Sequence, residues 1–539
     1  MHSDDTHGHF SRLMSPLALV TMALFAATGA RGAENADTSS DHLLNLFIQK
    51  GYVSKEEADK VKAEDDFDRT NSLAASLPPS KWIISKAMKS VELFGDIRLR
   101  YEDREAKDPT GGKIALDRMR YAVRFGLRGD VFDDFYYGLR FETSSNPRSS
   151  WVTFGTSSSG APYQGPFGKS TATLGIGQVY LGWRQDHWLD ITLGKMPNPL
   201  YTTPMVWSSS INPEGAAETL KYTVGQADLF ATFGQFIYED TNPNQTSSGY
   251  FGLGSGNLYG GNGTIPLMLA FQAGGNYHVS KKVSIKVAPV IYLYTGVGAD
   301  TAQSTSLVTP GFSDTFIGQG TTGGPSGFSG YPFGYYDGYS ANQTGINDLM
   351  VLEVPLEVNV KLSHFNLRFF GDYAYNLDGS TRAKAAYNAI SGLNKGNTEL
   401  SGYPIQPISS PQTQDVTAYQ VGFGIGSTNL VYGPMQGLVY GSSSAKHAWE
   451  FRSYWQHVEQ YSLDPNLPDT DFFEGSENLE GVYAALSYSP FANVIATVRY
   501  GYASRINNKL GTGGSGQDIP QMNPINTFSI FQLDLGLKF

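Results

Sequence analysis

The chain has 539 residues, of which 17% are charged and 13% aromatic, with 61 glycines, 32 tyrosines and 31 phenylalanines. This balance disfavours long amphipathic helices and suits one large strand-rich unit joined by glycine-rich loops. The lack of cysteine excludes disulfides, thiolate metal sites and cysteine nucleophiles, and a net charge of −11 argues against nucleic acid, which needs a basic face.

Residues 1–33 read as a secretory signal: Arg12 precedes a mostly apolar run, 13–30, and Ala30, Gly32 and Ala33 offer small residues for cleavage. Asp4 and Asp5 offset the positive charge at the start, and Met14 is an alternative first residue. The apolar run is short for a membrane anchor and no second one follows. A mature protein that crosses a membrane therefore crosses it with strands. Residues 34–66 read as a periplasmic helical hairpin. Leu43, Leu44, Phe47 and Ile48 recur at helical spacing, Gly51 suits a C-terminal cap, and Ser54 with Glu57 fits a capping box. A spacer or oligomer contact is its natural role. Residues 67–89 form a linker in which Pro78 and Pro79 stop any helix.

From residue 90 to the end the period is two, which defines a barrel domain over 90–539. Val91, Leu93, Ile97, Leu99 and Tyr101 alternate with Glu92, Asp96, Arg98, Arg100 and Glu102. Met119, Tyr121, Val123, Phe125 and Leu127 then oppose Arg118, Arg120, Arg124 and Arg128. Further segments centre near 135–142, 172–183, 188–196, 216–223, 227–238, 265–279, 283–295, 349–361, 365–376, 416–427, 447–459, 479–488, 491–503 and 526–539, giving sixteen strands. One greasy and one polar face per strand is what a tilted antiparallel membrane barrel requires.

The connections sort by length. Those at 129–134, 184–187, 224–226, 280–282, 363–364 and 489–490 are short, while 143–171, 197–213, 239–264, 297–346, 377–414, 461–477 and 506–525 are long and polar. With the N-terminus periplasmic, the first set are periplasmic turns and the second external loops. Segment 428–445 stands where a short turn belongs, and a hairpin hidden there raises the count to eighteen. Hydrocarbon offers backbone amides no partner, so such a sheet must close, and sixteen strands enclose a water-filled lumen. In the last strand Thr527, Ser529, Phe531, Leu533, Leu535, Leu537 and Phe539 share one face, opposite Gln532, Asp534 and Lys538. Its terminal Phe539 resembles the signal by which assembly machinery recognises outer-membrane proteins.

Four stretches carry a family likeness: HLLNLFIQKGYVSKEEADKVKAE, VELFGDIRLRYEDR, DRMRYAVRFGLRGDV and ITLGKMPNPLYTTPMVWSSSINPEGA. They resemble the putative porins of Gram-negative bacteria. The likeness implies an outer-membrane pore, with the Gly194–Lys195 turn and the stretch from Trp207 to Gly215 as recognisable features. Family analogy also makes a homotrimer plausible. Here no acidic residue directly follows Trp207, where the family commonly has one.

Selectivity candidates lie on the polar faces of the first five strands. Arg98, Arg100, Arg118, Arg120, Arg124, Arg128, Arg140 and Lys195 stand among Glu92, Asp96, Glu102, Glu142 and Asp190. Fixed cations beside carboxylates set a field across a pore and bias which ions pass, so a modest anion preference is one expectation. The plainer one is that these arginines pair with the carboxylates and brace the wall. The opposite wall, with Glu353, Glu357, Arg368, Asp372, Glu450, Arg452, Arg499 and Asp534, is mixed in sign. Four prolines and Trp207 stiffen 196–213, which either folds inward to constrict the pore or lies outside as a lid. Loop 297–346, low in charge, suits surface recognition.

Enzymatic signals are poor. Gly318, Gly320 and Gly323 match a dinucleotide fingerprint in letters but sit in a loop with no following helix. His447 and His457 are too far apart on a strand to share a metal, and no G-x-S-x-G elbow occurs. No cofactor is implied. The expected partners are outer-membrane lipid, the assembly machinery and small hydrophilic solutes. A general pore is the first reading; a substrate-specific channel and an adhesive or structural barrel are its rivals. Too few residues precede the first strand for the plug of an active transporter.

Overall fold

The computed structural model describes residues 88–109, 111–132, 134–144, 149–155, 173–238, 267–295, 349–384, 399–400, 403–404, 410–428, 445–512, 519 and 525–539. The signal, the helical hairpin, nearly all of the linker, the 318–323 glycine motif and loop 297–346 lie outside them.

Alternating sequence becomes a wall of sixteen strands: β1 (Glu92–Lys107), β2 (Lys113–Asp130), β3 (Phe135–Ser144), β4 (Thr173–Gln185), β5 (Leu189–Lys195), β6 (Glu214–Val224), β7 (Ala227–Ile237), β8 (Leu267–Ser280), β9 (Val283–Val287 continued by Val290–Thr295), β10 (Met350–Lys361), β11 (Phe365–Asn376), β12 (Thr417–Ser427), β13 (Trp449–Val458), β14 (Leu479–Phe491), β15 (Val494–Arg505) and β16 (Thr527–Lys538). Each pairs antiparallel with its chain neighbour, and β16 pairs with β1 from Lys107–Thr527 to Asp96–Lys538. The sheet therefore has no open edge, and its backbone groups are satisfied without water. Two shorter pieces add to it: Val152–Thr153 returns to pair with β2, and Glu399–Leu400 with Tyr403–Pro404 makes a separate small ladder. β9 breaks at Ala288 and Pro289, where a proline has no N–H to give the ladder.

The sixteen-strand expectation holds, and one turn moves. β12 pairs directly with β13, from Ala418–Val458 to Gly426–Glu450, so the wall has sixteen strands and not eighteen. The turn expected at 489–490 lies three residues later, at 492–493: Ser489 and Pro490 belong to β14 at an irregularity in its pairing, and Asn493 takes the positive φ of 65° that the turn needs. Asparagine tolerates that conformation better than proline, whose φ is fixed negative.

The outer face is apolar. Ile97, Leu99, Leu181, Leu220, Leu356, Val421, Leu486, Val498 and Leu535 are exposed around the wall. Tyr222, Tyr277, Trp449 and Tyr488 face outward toward the short turns, and Tyr373, Tyr419, Tyr500 and Tyr502 toward the long loops. An aliphatic band between two aromatic belts matches a bilayer with its two interfaces. An arginine or lysine on such a band costs about 2–4 kcal/mol at mid-depth, which keeps the charges on the lumen side. The chain's last residue completes the seam. Phe539 N donates to Gly95 O at 3.0 Å and Gly95 N to Phe539 O at 2.9 Å. A Cβ at Gly95 would stand 2.6 Å from the Phe539 ring, so only glycine leaves room for it.

Candidate functional site

Alternation places the polar residues of β1, β2 and β16 on one inner surface, and pairing register decides which of them meet. Glu102 is fully buried and collects Arg118 at 2.5 Å, Arg120 at 3.2 Å and Arg104 at 3.2 Å. Asp96 takes Arg98 and Arg124, both at 2.7 Å. Arg100 reaches across the seam to Asp534 at 2.8 Å, and Arg499 binds the same carboxylate. Arg128 pairs with Glu92 at 3.0 Å, Arg140 with Glu142 at 3.2 Å and Lys195 with Glu214 at 2.5 Å. Asp190 accepts from Tyr136 Oη at 2.5 Å and from Arg184 at 3.3 Å. All ten selectivity candidates are thus engaged, eight of them within one contiguous stretch of wall and Lys195 and Asp190 farther round on β5. The guanidiniums of Arg98 and Arg100 also lie 5.2 and 4.2 Å from the Trp151 ring centre.

Among the described residues, two connecting segments cross the lumen. One, 459–478, joins β13 to β14 and crosses to β1. Its Asp471 accepts from Arg100 at 2.7 Å, from Arg104 at 3.3 Å and from Gln532 at 3.2 Å, and its Glu474 pairs with Arg104. Glu474 Oε1 also accepts from Ile519 N at 2.8 Å. On its other side Asp464 accepts from Tyr238 at 2.7 Å and Tyr294 at 2.8 Å, on the β7 and β9 side. Burial alone would raise Asp471, but Arg100, Arg104 and Arg499 outweigh it and hold this carboxyl far below the ordinary range. At Asp469 burial, then the Asp471 charge, outweigh Arg100 and the Ser208 hydroxyl and push the carboxyl up to about 6. Burial likewise lifts Glu477 well above an ordinary glutamate.

The second segment, 196–213, joins β5 to β6 and lies against the opposite wall. Tyr201, Thr202 and Thr203 each donate a hydroxyl to an inner-face carboxylate: Tyr201 to Glu357, Thr202 to Glu353 at 2.5 Å and Thr203 to Asp372. Gln272 fixes the backbone of Tyr201, donating to its carbonyl and accepting from its N–H, both at 2.8 Å. Met205, Val206 and Trp207 are buried, with the indole edge-on to Phe236 at 6.0 Å. The segment is therefore an inner rib and not an external lid. The two ribs meet inside the barrel: Ser208 N donates to Leu467 O at 2.6 Å, and Asp469 N to Pro204 O at 2.9 Å. Together they bridge the lumen from β1 to β11.

Between the 196–213 rib and the wall of β6 to β9 lies a cavity of about 760 Å³. Tyr201 and Asn198 of the rib, with Thr219, Lys221, Phe230 and Lys286 of the wall, are among its lining residues. His187, Thr223 and Asn276 carry it toward the short turns. The sequence reading passed over Arg104, Asp471, Glu474 and Lys286. Arg104 continues the polar alternation of the first strand and Lys286 lies within the strand segment 283–295, whereas the two acids lie in the long loop 461–477.

A closed barrel with a lipid-compatible outside and a charged, ribbed inside defines an outer-membrane channel. Residues 108–322 match the family model described as putative porin. No curated protein matches the chain in sequence. Solved structures of similar fold include OprB of Pseudomonas putida, at 12% identity and a TM-score of 0.42, covering 84% of this chain and 94% of that one. OmpT of Vibrio cholerae follows at 7% identity and 0.37, covering 85% and 100%. An anion-selective porin from Comamonas acidovorans stands at 8% and 0.36, covering 84% and 99%.

Proposed function

We propose that the protein passes small hydrophilic solutes and ions passively through a lumen narrowed by its two ribs, with the short turns and the N-terminus on the periplasmic side. The observation that carries this reading is the meeting of the ribs at Ser208, Leu467, Pro204 and Asp469 inside a closed wall. A bridge anchored on both sides sets an aperture without any moving part, and passage past it needs no catalytic step. The arginines of β1 to β3 are nearly balanced by their carboxylates, so ion preference is weak and, with the guanidiniums in slight excess, toward anions. Phe539, paired into the seam, serves as the recognition element for assembly machinery, and the working unit is a homotrimer in outer-membrane lipid.

Single-channel recording of the refolded protein in a planar bilayer tests this. Discrete ohmic steps are expected, with a reversal potential in a salt gradient displaced slightly toward the anion value. Silence from a verified, folded barrel would overturn the channel reading and favour an adhesive or structural role. Crosslinking in detergent reads the trimer: a monomer band alone removes it.

A further inference from the structure

Among the lining residues of the 760 Å³ cavity, most charges are already spoken for. Asp228 accepts from Thr223 at 2.8 Å and lies 2.8 Å from His278 Nε2. Arg140 is paired with Glu142, and Lys221 stands 4.0 Å from Asp190. Lys286 differs. Its neighbour in register, Glu357, is occupied by Arg368 at 2.9 Å, by Asn359 at 2.5 Å and by the Tyr201 hydroxyl. Among the described residues Lys286 makes no ion pair; its ammonium rests 3.6 Å from the centre of the Tyr201 ring and 5.4 Å from that of Phe230. A second donor is also unspent. Asn198 uses its Oδ1 to accept from Leu200 N at 2.9 Å, while its buried Nδ2 has no hydrogen-bond partner among the described residues.

A half-buried ammonium and a buried amide N–H₂, beside aromatic faces in a cavity of small-molecule size, are complementary to one kind of guest. We propose that this cavity binds a small organic monocarboxylate with an apolar ring or branched body. The carboxylate sits on Lys286 and Asn198, and the body packs on Tyr201, Leu200 and Phe230. A neutral polyol would fill the space but leave the ammonium without a counter-charge, and an inorganic anion would leave the aromatic wall bare. The inference rests on the channel reading, to which it adds a solute class and a subsite on the short-turn side of the rib.

The test is calorimetric titration of the full refolded chain in detergent with benzoate, with benzamide as the neutral isostere and glucose as a polyol. Saturable benzoate binding is expected, with benzamide and glucose at least about tenfold weaker, a loss equivalent to one charge-assisted contact. Lys286→Met should weaken benzoate by about tenfold, Lys286→Arg should retain it within about threefold, and Asn198→Ala should cost about three- to fivefold. Lys286→Gln serves if the methionine variant does not refold. Absence of saturable benzoate binding, equal binding of benzamide, or an unchanged affinity in the Lys286 variants overturns the site. Bilayer recordings keep the two ideas apart. A conducting barrel that ignores benzoate removes only the site, whereas a silent barrel that binds benzoate removes only the channel.

Discussion

The two ribs reach the wall by different chemistry. Segment 459–478 grips β1 through guanidinium and carboxylate, with Arg100 and Arg104 on Asp471 and Glu474. Segment 196–213 grips β10 and β11 through neutral hydroxyls given to Glu353, Glu357 and Asp372. In the first case both partners bring charge into the interior, so each depends on the other to offset its desolvation. In the second only the wall supplies carboxyl groups, and the rib contributes neutral donors whose own desolvation costs less than that of a charge. The first anchor should therefore be costlier to break on one side, and the second should fail in smaller steps.

The largest expected effect is at Arg104. Arg104→Ala leaves Glu474 and part of Asp471 buried without their cation, a loss of about 3–5 kcal/mol for a broken buried pair. Denaturant unfolding of the refolded barrel should show a clearly lower midpoint, and single-channel steps should become larger or noisier. An unchanged midpoint would mean that the ion pairs do not anchor the rib. Thr202→Val comes next, at about 1–3 kcal/mol for one buried carboxylate deprived of a donor. If it costs more than Arg104→Ala in the same unfolding assay, the ranking of the two anchors is wrong.

A smaller effect is expected from pH. Asp469 keeps its proton in the folded protein up to about pH 6, against an ordinary value of 3.8. Between those limits the folded state holds more protons than the unfolded one, so this residue makes stability fall as pH rises from about 3.8 to about 6, and levels off above. Asp471 works in the opposite direction. Its value is lowered, so its stabilisation is complete above 3.8 and is lost progressively as pH falls from there toward its much lower folded value. Asp469→Asn should flatten the slope of stability between pH 4 and 6 without moving the acid limb; an unaltered profile would remove Asp469 as its source. The smallest effect is at the rim. Arg128 and Glu92 are 51% and 41% exposed, and a solvent-screened pair contributes about 0–1 kcal/mol. Arg128→Ala should leave the unfolding midpoint nearly in place and move the reversal potential only slightly.

How far the sequence could be read differs between wall and lumen. Strands and faces were legible because period two is a local property and lipid admits only one kind of surface. The run from Met119 to Leu127 against Arg118 to Arg128 needed no knowledge of its neighbours. The 196–213 segment was half legible: its prolines and Trp207 marked it as stiff, but stiffness does not say which way a loop turns. Its direction is set by Gln272, Glu353 and Asp372, which lie far along the chain. The charged candidates were legible as inner-face residues, but their state was not. A lone arginine ladder and a paired one have the same letters, and only register brings Arg118 and Arg120 to Glu102.

By itself, then, the sequence determined a closed antiparallel wall, its sixteen strands, its greasy exterior and its charged interior, because each follows from side-chain alternation and from the hydrogen-bond demands of a membrane. Only the tertiary structure decided what fills that interior. The pairing of Arg104 with Glu474, the turn of the 196–213 rib onto β10 and β11, and the isolation of Lys286 beside Tyr201 all join residues remote in the chain. Closure of the sheet brings these groups within hydrogen-bonding distance, and no local periodicity records that proximity.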